Sequence, residues 1–337
     1  MRTRTSFLLA AALGVALVAG GTVTTASAVP DGVHRIGGAD RYEVSAAISN
    51  DAFPQNTGVP VAYVVSGEVF ADALSASALA GLRGGPVLLT AKDAIPASVK
   101  AELIRLKPAR ITVLGGESTI SDAVYTALRR LPFFPPVQRI GGADRYEVSA
   151  NAARDVFGPA DVPVSFVASG ENFPDALSGA AAAGHLGGPV LLTTKNSVPG
   201  PILSELDLED PGAVRVIGGP NTVSQSVLDT LTRDVQPDTK RIFGPDRYAV
   251  SAAVSAESFG AASTVYIASG EVFPDALSGS AAAIALEAPV LLVTKSSIPA
   301  SVAAELRRLT PTKIVVLGGL NTIDASVEAQ LTGFLKP

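Results

Sequence analysis

The sequence predicts an α/β protein made of three parallel-sheet αβα modules. Three observations carry that prediction. One set of motifs returns at a nearly constant period, short apolar runs of strand length recur within each period, and segments of helical spacing separate those runs.

RIGGADRYEVSA at Arg35 returns unchanged at Arg139 and as RIFGPDRYAVSA at Arg241, at spacings of 104 and 102 residues. SGEVFADALSASALA from Ser66 returns from Ser169 and Ser269, and PVLLTAK from Pro86 returns from Pro189 and Pro289. VLGGESTIS from Val113 is matched from Val216 and Val316. Breakers separate the copies: LPFFPP over Leu131 to Pro136 and QPD over Gln236 to Asp238 cannot continue a helix, because proline lacks a donor and clashes with the preceding turn. The expected units are residues 33–132, 137–236 and 239–337. Linkers this short favour modules packed together over independent beads.

Within the first copy, Ala62 to Val65, Pro86 to Leu89 and Ile111 to Leu114 read as strands covered on both faces. The intervening helices are expected over Asp40 to Ala52, Asp72 to Leu82, Pro96 to Leu106 and Ser121 to Leu128. In the third of these, Val99, Leu103 and Leu106 form one apolar stripe, and Pro96 occupies a first-turn position that tolerates it. Strand and helix in alternation imply parallel sheets with right-handed crossovers.

Composition narrows the function. At 337 residues the chain has room for two or three domains of about 100–200 residues. A hydrophobic share of 47% with 17% charged residues argues against disorder. The absence of cysteine excludes disulfides, thiolate zinc sites, a cysteine nucleophile and a lipidated N-terminal cysteine, and two histidines are too few for a multi-histidine metal centre. No metal or cofactor is expected. Residues 1–28 read as a secretion signal: Arg2 and Arg4, the apolar run Phe7 to Ala19, then Ala26-Ser27-Ala28 before a mature start at Val29. That run is too short to span a bilayer, so no membrane insertion is expected. Loss of the two arginines leaves 24 basic against 31 acidic residues, a charge of −7, which disfavours nucleic acid as a partner.

In open parallel sheets, sites form at the carboxyl ends of strands. The loops there carry the same polar residues in each copy: Ser66, Ser169 and Ser269; Asp72, Asp175 and Asp275; Lys92, Lys195 and Lys295; and, on the preceding helix, Arg41, Arg145 and Arg247. All twelve are candidate ligand-binding residues. The aspartates precede Ala-Leu at a helix start, where a carboxylate caps free N–H groups. Asp40 is expected to cap its helix. The arginines can tie elements together by pairing with a carboxylate or present a planar fork to a ligand anion. The glycine pairs fit tight turns; none matches a dinucleotide or P-loop pattern.

Catalytic readings fare worse. There is no GxSxG elbow, and His34 and His185 fall at non-equivalent places, His185 inside a helix and partly buried. A zinc amidase or Ser-His-Asp hydrolase therefore lacks its groups. A wall-carbohydrate hydrolase using Glu68 and Asp72 is the alternative, but triplication of a whole unit points to multivalent binding.

The ordered quartet RIGGADRYEVSA, SGEVFADALS, PVLLT and VLGGESTIS, in triplicate over about residues 33 to 337, resembles the type 2 cell wall binding repeat of Gram-positive bacteria. The resemblance implies non-catalytic, Rossmann-like modules around a pseudo-threefold axis, holding the wall non-covalently through anionic secondary polymers of the teichoic or polysaccharide type. The family's Pro-Ile-Leu-Leu signature maps onto Pro86-Val87-Leu88-Leu89, Pro189-Val190-Leu191-Leu192 and Pro289-Val290-Leu291-Leu292. The third copy departs at Phe243, Pro245 and Glu287-Ala288, which implies an altered or inactive groove. No effector domain is expected alongside the copies. An acidic protein holding a polyanion needs local devices, because charges are screened beyond about 8 Å in physiological salt. Helix N-termini, the arginine forks, the lysine loops and bridging divalent cations can supply them.

Overall fold

The computed structural model describes residues 32–54, 58–70 and 72–336. The expected signal, residues 1–28, lies outside the described residues.

The described residues alternate strand and helix twelve times. The first stretch comprises β1 (Gly32–Ile36), α1 (Arg41–Ala52), β2 (Ala62–Ser66), α2 (Ala73–Leu82), β3 (Val87–Thr90), α3 (Ala97–Leu106), β4 (Ile111–Leu114) and α4 (Asp122–Arg129). The second comprises β5 (Val137–Ile140), α5 (Arg145–Phe157), β6 (Ser165–Ser169), α6 (Pro174–His185), β7 (Val190–Thr193), α7 (Gly200–Glu209), β8 (Val214–Ile217) and α8 (Gln225–Asp234). The third comprises β9 (Thr239–Ile242), α9 (Arg247–Ser258), β10 (Thr264–Ser269), α10 (Pro274–Ala285), β11 (Val290–Val293), α11 (Ala300–Leu309), β12 (Lys313–Leu317) and α12 (Ala325–Leu331). These form three four-stranded, wholly parallel sheets, as the apolar runs predict.

The sheets are out of phase with the sequence copies. Their orders are β3-β2-β4-β5, β7-β6-β8-β9 and β1-β12-β10-β11. Each copy therefore places its first strand at the edge of the preceding copy's sheet. The ring closes where β1 lies along β12, with Val33 opposite Ile314 and Ile36 opposite Leu317. The folding unit runs from one RIGGADRY helix to the next RIG strand, and three such units make a ring of αβα layers.

At the centre stand α2, α6 and α10, each almost fully buried although built from alanine, serine, glycine and leucine. Small side chains let three helix backbones approach one another closely. Ser77 Oγ donates to Leu277 O at 2.9 Å and Ser280 Oγ to Leu177 O at 3.2 Å, so the hydroxyls are satisfied by neighbouring helices. Just before these helices, Phe70, Phe173 and Phe273 meet in a ring with centroids 5.7, 5.8 and 5.8 Å apart, which marks the pseudo-threefold axis. The equivalent position near the other end holds Gly81, Gly184 and Ile284. A Cβ on Gly81 or Gly184 would come within 2.5 or 2.3 Å of Ile284 Cδ1, so one isoleucine occupies the space that two glycines leave.

Candidate functional site at the module boundaries

Within each sheet the second and third strands of the order send the chain to opposite sides: β2 leads through α2 to β3, and β4 through α4 to β5. The carboxyl ends of β2 and β4 thus flank a topological switch point, where parallel sheets form ligand crevices. The strand order adds a third wall, because β5 brings the start of the next copy to the same place.

The groove at the second sheet is a cavity of about 410 Å³ lined by Asn172 and Asp175 after β6, Gly219 to Thr222 after β8, and Phe243 to Arg247 after β9. Its counterpart at the third sheet, about 190 Å³, takes Asp275, Gly319 and Thr322 from one end of the chain and Gly38 to Arg41 from the other. At the first sheet, Asp72, Gly115 and Arg145 hold the equivalent places.

The aspartates lie deep in these grooves, 7 to 8% exposed. Each carboxylate occupies room that only a glycine leaves: a Cβ on Gly115, Gly218 or Gly318 would come within 2.8, 2.6 or 2.2 Å of the Oδ2 of Asp72, Asp175 or Asp275. Those glycines also adopt positive φ of 123°, 112° and 98°, which disfavours a side chain there on its own account. Thr119 Oγ1 donates to Asp72 Oδ2 at 3.3 Å, whereas Asp175 and Asp275 have no side-chain hydrogen bond among the described residues. Burial raises all three carboxyls above the ordinary range, Asp275 to about 6, against an opposing pull from the arginine of the adjoining copy. The capping expectation is corrected here. Asp72 stands at the cap position of α2 but makes no cap hydrogen bond, and Asp175 and Asp275 lie inside the first turn behind Pro174 and Pro274. The preceding backbone stays in the αR region instead of the extended geometry that presents a capping oxygen.

Each arginine spans a boundary. Arg41, Arg145 and Arg247 donate to the carbonyls of Gly67, Gly170 and Gly270 in their own copies. Each also lies 5.9 to 6.0 Å from a phenylalanine ring of the preceding copy: Arg41 over Phe273, Arg145 over Phe70, Arg247 over Phe173. No ion pair involves these three arginines among the described residues, so the carboxylate-tie alternative is not what holds them. One guanidinium nitrogen is spent on a carbonyl, and the rest of the fork is not tied to an acid. Asp40 and Asp144 cap their helices as expected, each accepting from two backbone N–H groups, and Asp246 accepts from Ala249 N at 2.8 Å. Glu43 and Glu147 each accept from the backbone N–H of the residue before the cap, Ala39 and Ala143, which ties the entry loop to the first turn.

Ser66, Ser169 and Ser269 are buried, with each Oγ accepting from the backbone N–H two residues on at 3.0 to 3.1 Å. They set the turn into the central helix. Lys92, Lys195 and Lys295 stand exposed on loops after the edge strands, and none of them lines the groove at the second or the third sheet. Their carbonyls accept from Ser121 N, Ser224 N and Asp324 N, which fixes those loops against the helix starts that follow β4, β8 and β12. His185 is partly buried and stacks on Phe259, centroids 4.5 Å apart.

Sequence reasoning passed over Arg35, Arg139 and Arg241. These arginines ride on the exchanged strands and donate to the carbonyls of Gly318, Gly115 and Gly218, locking the glycine turns that make room for the aspartates. Their recurrence as the first letter of RIGGADRY was the available signal.

The cell wall binding domain 2 model matches residues 35–125, 139–228 and 241–328. The chain belongs to that family. It is 30% identical over 297 residues to the amidase enhancer of Bacillus subtilis (strain 168), covering 88% of this chain and 40% of that protein. It is 26% identical over 299 residues to the N-acetylmuramoyl-L-alanine amidase LytC of the same organism, covering 89% and 58%. The chain thus spans about half the length of these relatives. Among solved structures, Cwp6 from Clostridium difficile superposes with a TM-score of 0.84 at 27% identity, over 95% of this chain and 50% of that one. Cwp8 from Clostridium difficile superposes at 0.81 and 24%, over 90% and 52%. The expected family and three-module fold are thereby met, and the chain carries a cell wall binding domain.

Proposed function

We propose that this is a secreted, wall-associated, non-catalytic protein that grips an anionic secondary polymer of the Gram-positive wall in its three boundary grooves. The observation that carries this reading is an arginine at each boundary, unpaired with any acid among the described residues, beside the start of a buried helix. A guanidinium and free helix N–H groups are the local anion-binding devices an acidic protein requires. The exposed lysine loops add further positive charge at the same end of the sheets. Grooves repeated around one axis let a polymer engage several at once, so weak individual contacts sum to firm attachment.

The family's binding role supports this reading over the hydrolase alternative. So does the placement of the histidines, one on an edge strand and one stacked on a ring outside the grooves. Purified walls, with and without their secondary polymers, should distinguish the two in a pull-down. Retention should depend on the polymer, and replacing Arg41, Arg145 and Arg247 together by Gln should abolish it while the fold survives. Full retention by that variant would refute the groove reading, and release of wall fragments by the parent protein would establish the hydrolase.

A further inference from the structure

The grooves at the second and third sheets are not equivalent. The groove at the second sheet has about twice the volume of that at the third, 410 against 190 Å³. It is also walled by Phe243, 58% exposed, where the other copies have Gly37 and Gly141. An exposed aromatic ring in a concave site is unfavourable unless something flat and apolar covers it. Facing it in the same cavity are Asp175, a carboxylate 8% exposed that accepts no side-chain hydrogen bond among the described residues, the amide of Asn172 and the arginine Arg247.

Resting on the groove reading above, we infer that this groove is the protein's principal saccharide subsite, taking a pyranose ring with an anionic substituent. The C–H face of a pyranose is flat and apolar, and it suits the face of Phe243. Its equatorial hydroxyls are donors, and Asp175 is a largely buried acceptor with no protein donor among the described residues. The anionic substituent is matched by the open part of the Arg247 fork. A linear polyol phosphate would satisfy the arginine but leave the ring and the carboxylate uncovered. The volume lies within the range of about 300–1,000 Å³ usual for small-ligand sites, and that of the third sheet lies below it. The Phe243 and Pro245 departures of the third copy thus build a site in the second sheet, because the strand exchange carries them there.

The test uses the full chain and the anionic polymer extracted from Gram-positive walls, either intact or oxidised with periodate, which opens rings bearing vicinal diols and leaves acidic groups in place. Phe243→Gly introduces the residue found at positions 37 and 141 and should keep the parent melting temperature. It should weaken binding of the intact polymer by about tenfold, the size of one good ring contact, and leave binding of the oxidised polymer unchanged. Parent-like binding of the intact polymer, or an equal loss on both forms, overturns the inference. Arg247→Gln separates the two levels. If it weakens binding where Phe243→Gly does not, only the saccharide subsite is withdrawn; if neither variant weakens binding, this groove is withdrawn as a polymer site altogether.

Discussion

Arg35 on the first strand and Glu328 on the last helix form an ion pair, Nε to Oε2 at 2.7 Å, across 293 positions of chain. At the two other boundaries the position of Glu328 is held by Tyr125, over whose ring Arg139 lies at 5.1 Å, and by Leu228. The joint with no peptide continuity through it is the one that carries the opposite charge. Both partners are partly exposed, so the pair contributes about 1 kcal/mol at most.

Glu328→Gln should consequently loosen β1 in particular. Hydrogen exchange should quicken over residues 32–36 while the edge strands β5 and β9 keep their protection. Uniform acceleration across all three edges would show that the ring opens as a whole and that this pair has no local role.

Fragments should reveal the true folding unit. A piece covering 41–140 holds α1 to β5 and a complete four-stranded sheet, whereas 33–132 follows the sequence copy but lacks the strand that pairs with β4. The first should show a cooperative urea transition, weakened by its exposed central helix, and the second should show a lesser one or none. Greater stability of the 33–132 piece would contradict the strand exchange.

This phase shift is where sequence reading stopped. The buried strands β2, β3 and β4 were legible because both their faces are covered and their runs are predominantly apolar. Edge strands such as Val137–Ile140, VQRI, are half-exposed and place two polar residues between two apolar ones over only four positions, so they do not stand out from a loop. A repeat period also states how far apart equivalent strands lie and is silent on which neighbour they pair with. The same gap hid the grooves. Arg41 and Asp275 were each visible as recurrent polar residues, but only the closed ring brings the first copy's arginine to the last copy's aspartate. The serines were recurrent too, and their backbone role could not be told from a ligand role without the turn geometry.

The axis provides a swap experiment. Gly184→Ile places a second isoleucine where Ile284 already sits, and overpacking of this kind costs about 1–3 kcal/mol. Adding Ile284→Gly moves the single isoleucine to the neighbouring helix and should restore most of the loss in a thermal melt. Additive losses in the double variant would mean that the two positions do not share one space.

Asp275 predicts a pH signature. Its folded-state pKa of about 6 exceeds the ordinary carboxylate value. The unfolded chain therefore ionises first as pH rises, and native stability falls between about pH 4 and pH 6. Asp275→Asn should stabilise the protein by about 3 kcal/mol at pH 7 and by nothing below about pH 4. A variant whose advantage is the same at both pH values would show that the carboxylate is not ionised against its surroundings.

Strand exchange also settles how many copies this architecture can hold. In an open solenoid every added repeat finds the same waiting edge, so array length is free to drift. Here the edge of β12 is already occupied by β1, and three small-residue helices fill the axis. A fourth copy would have neither a strand to pair with nor a place at the centre. Gene duplication can therefore lengthen such a protein only by whole rings, three modules at a time.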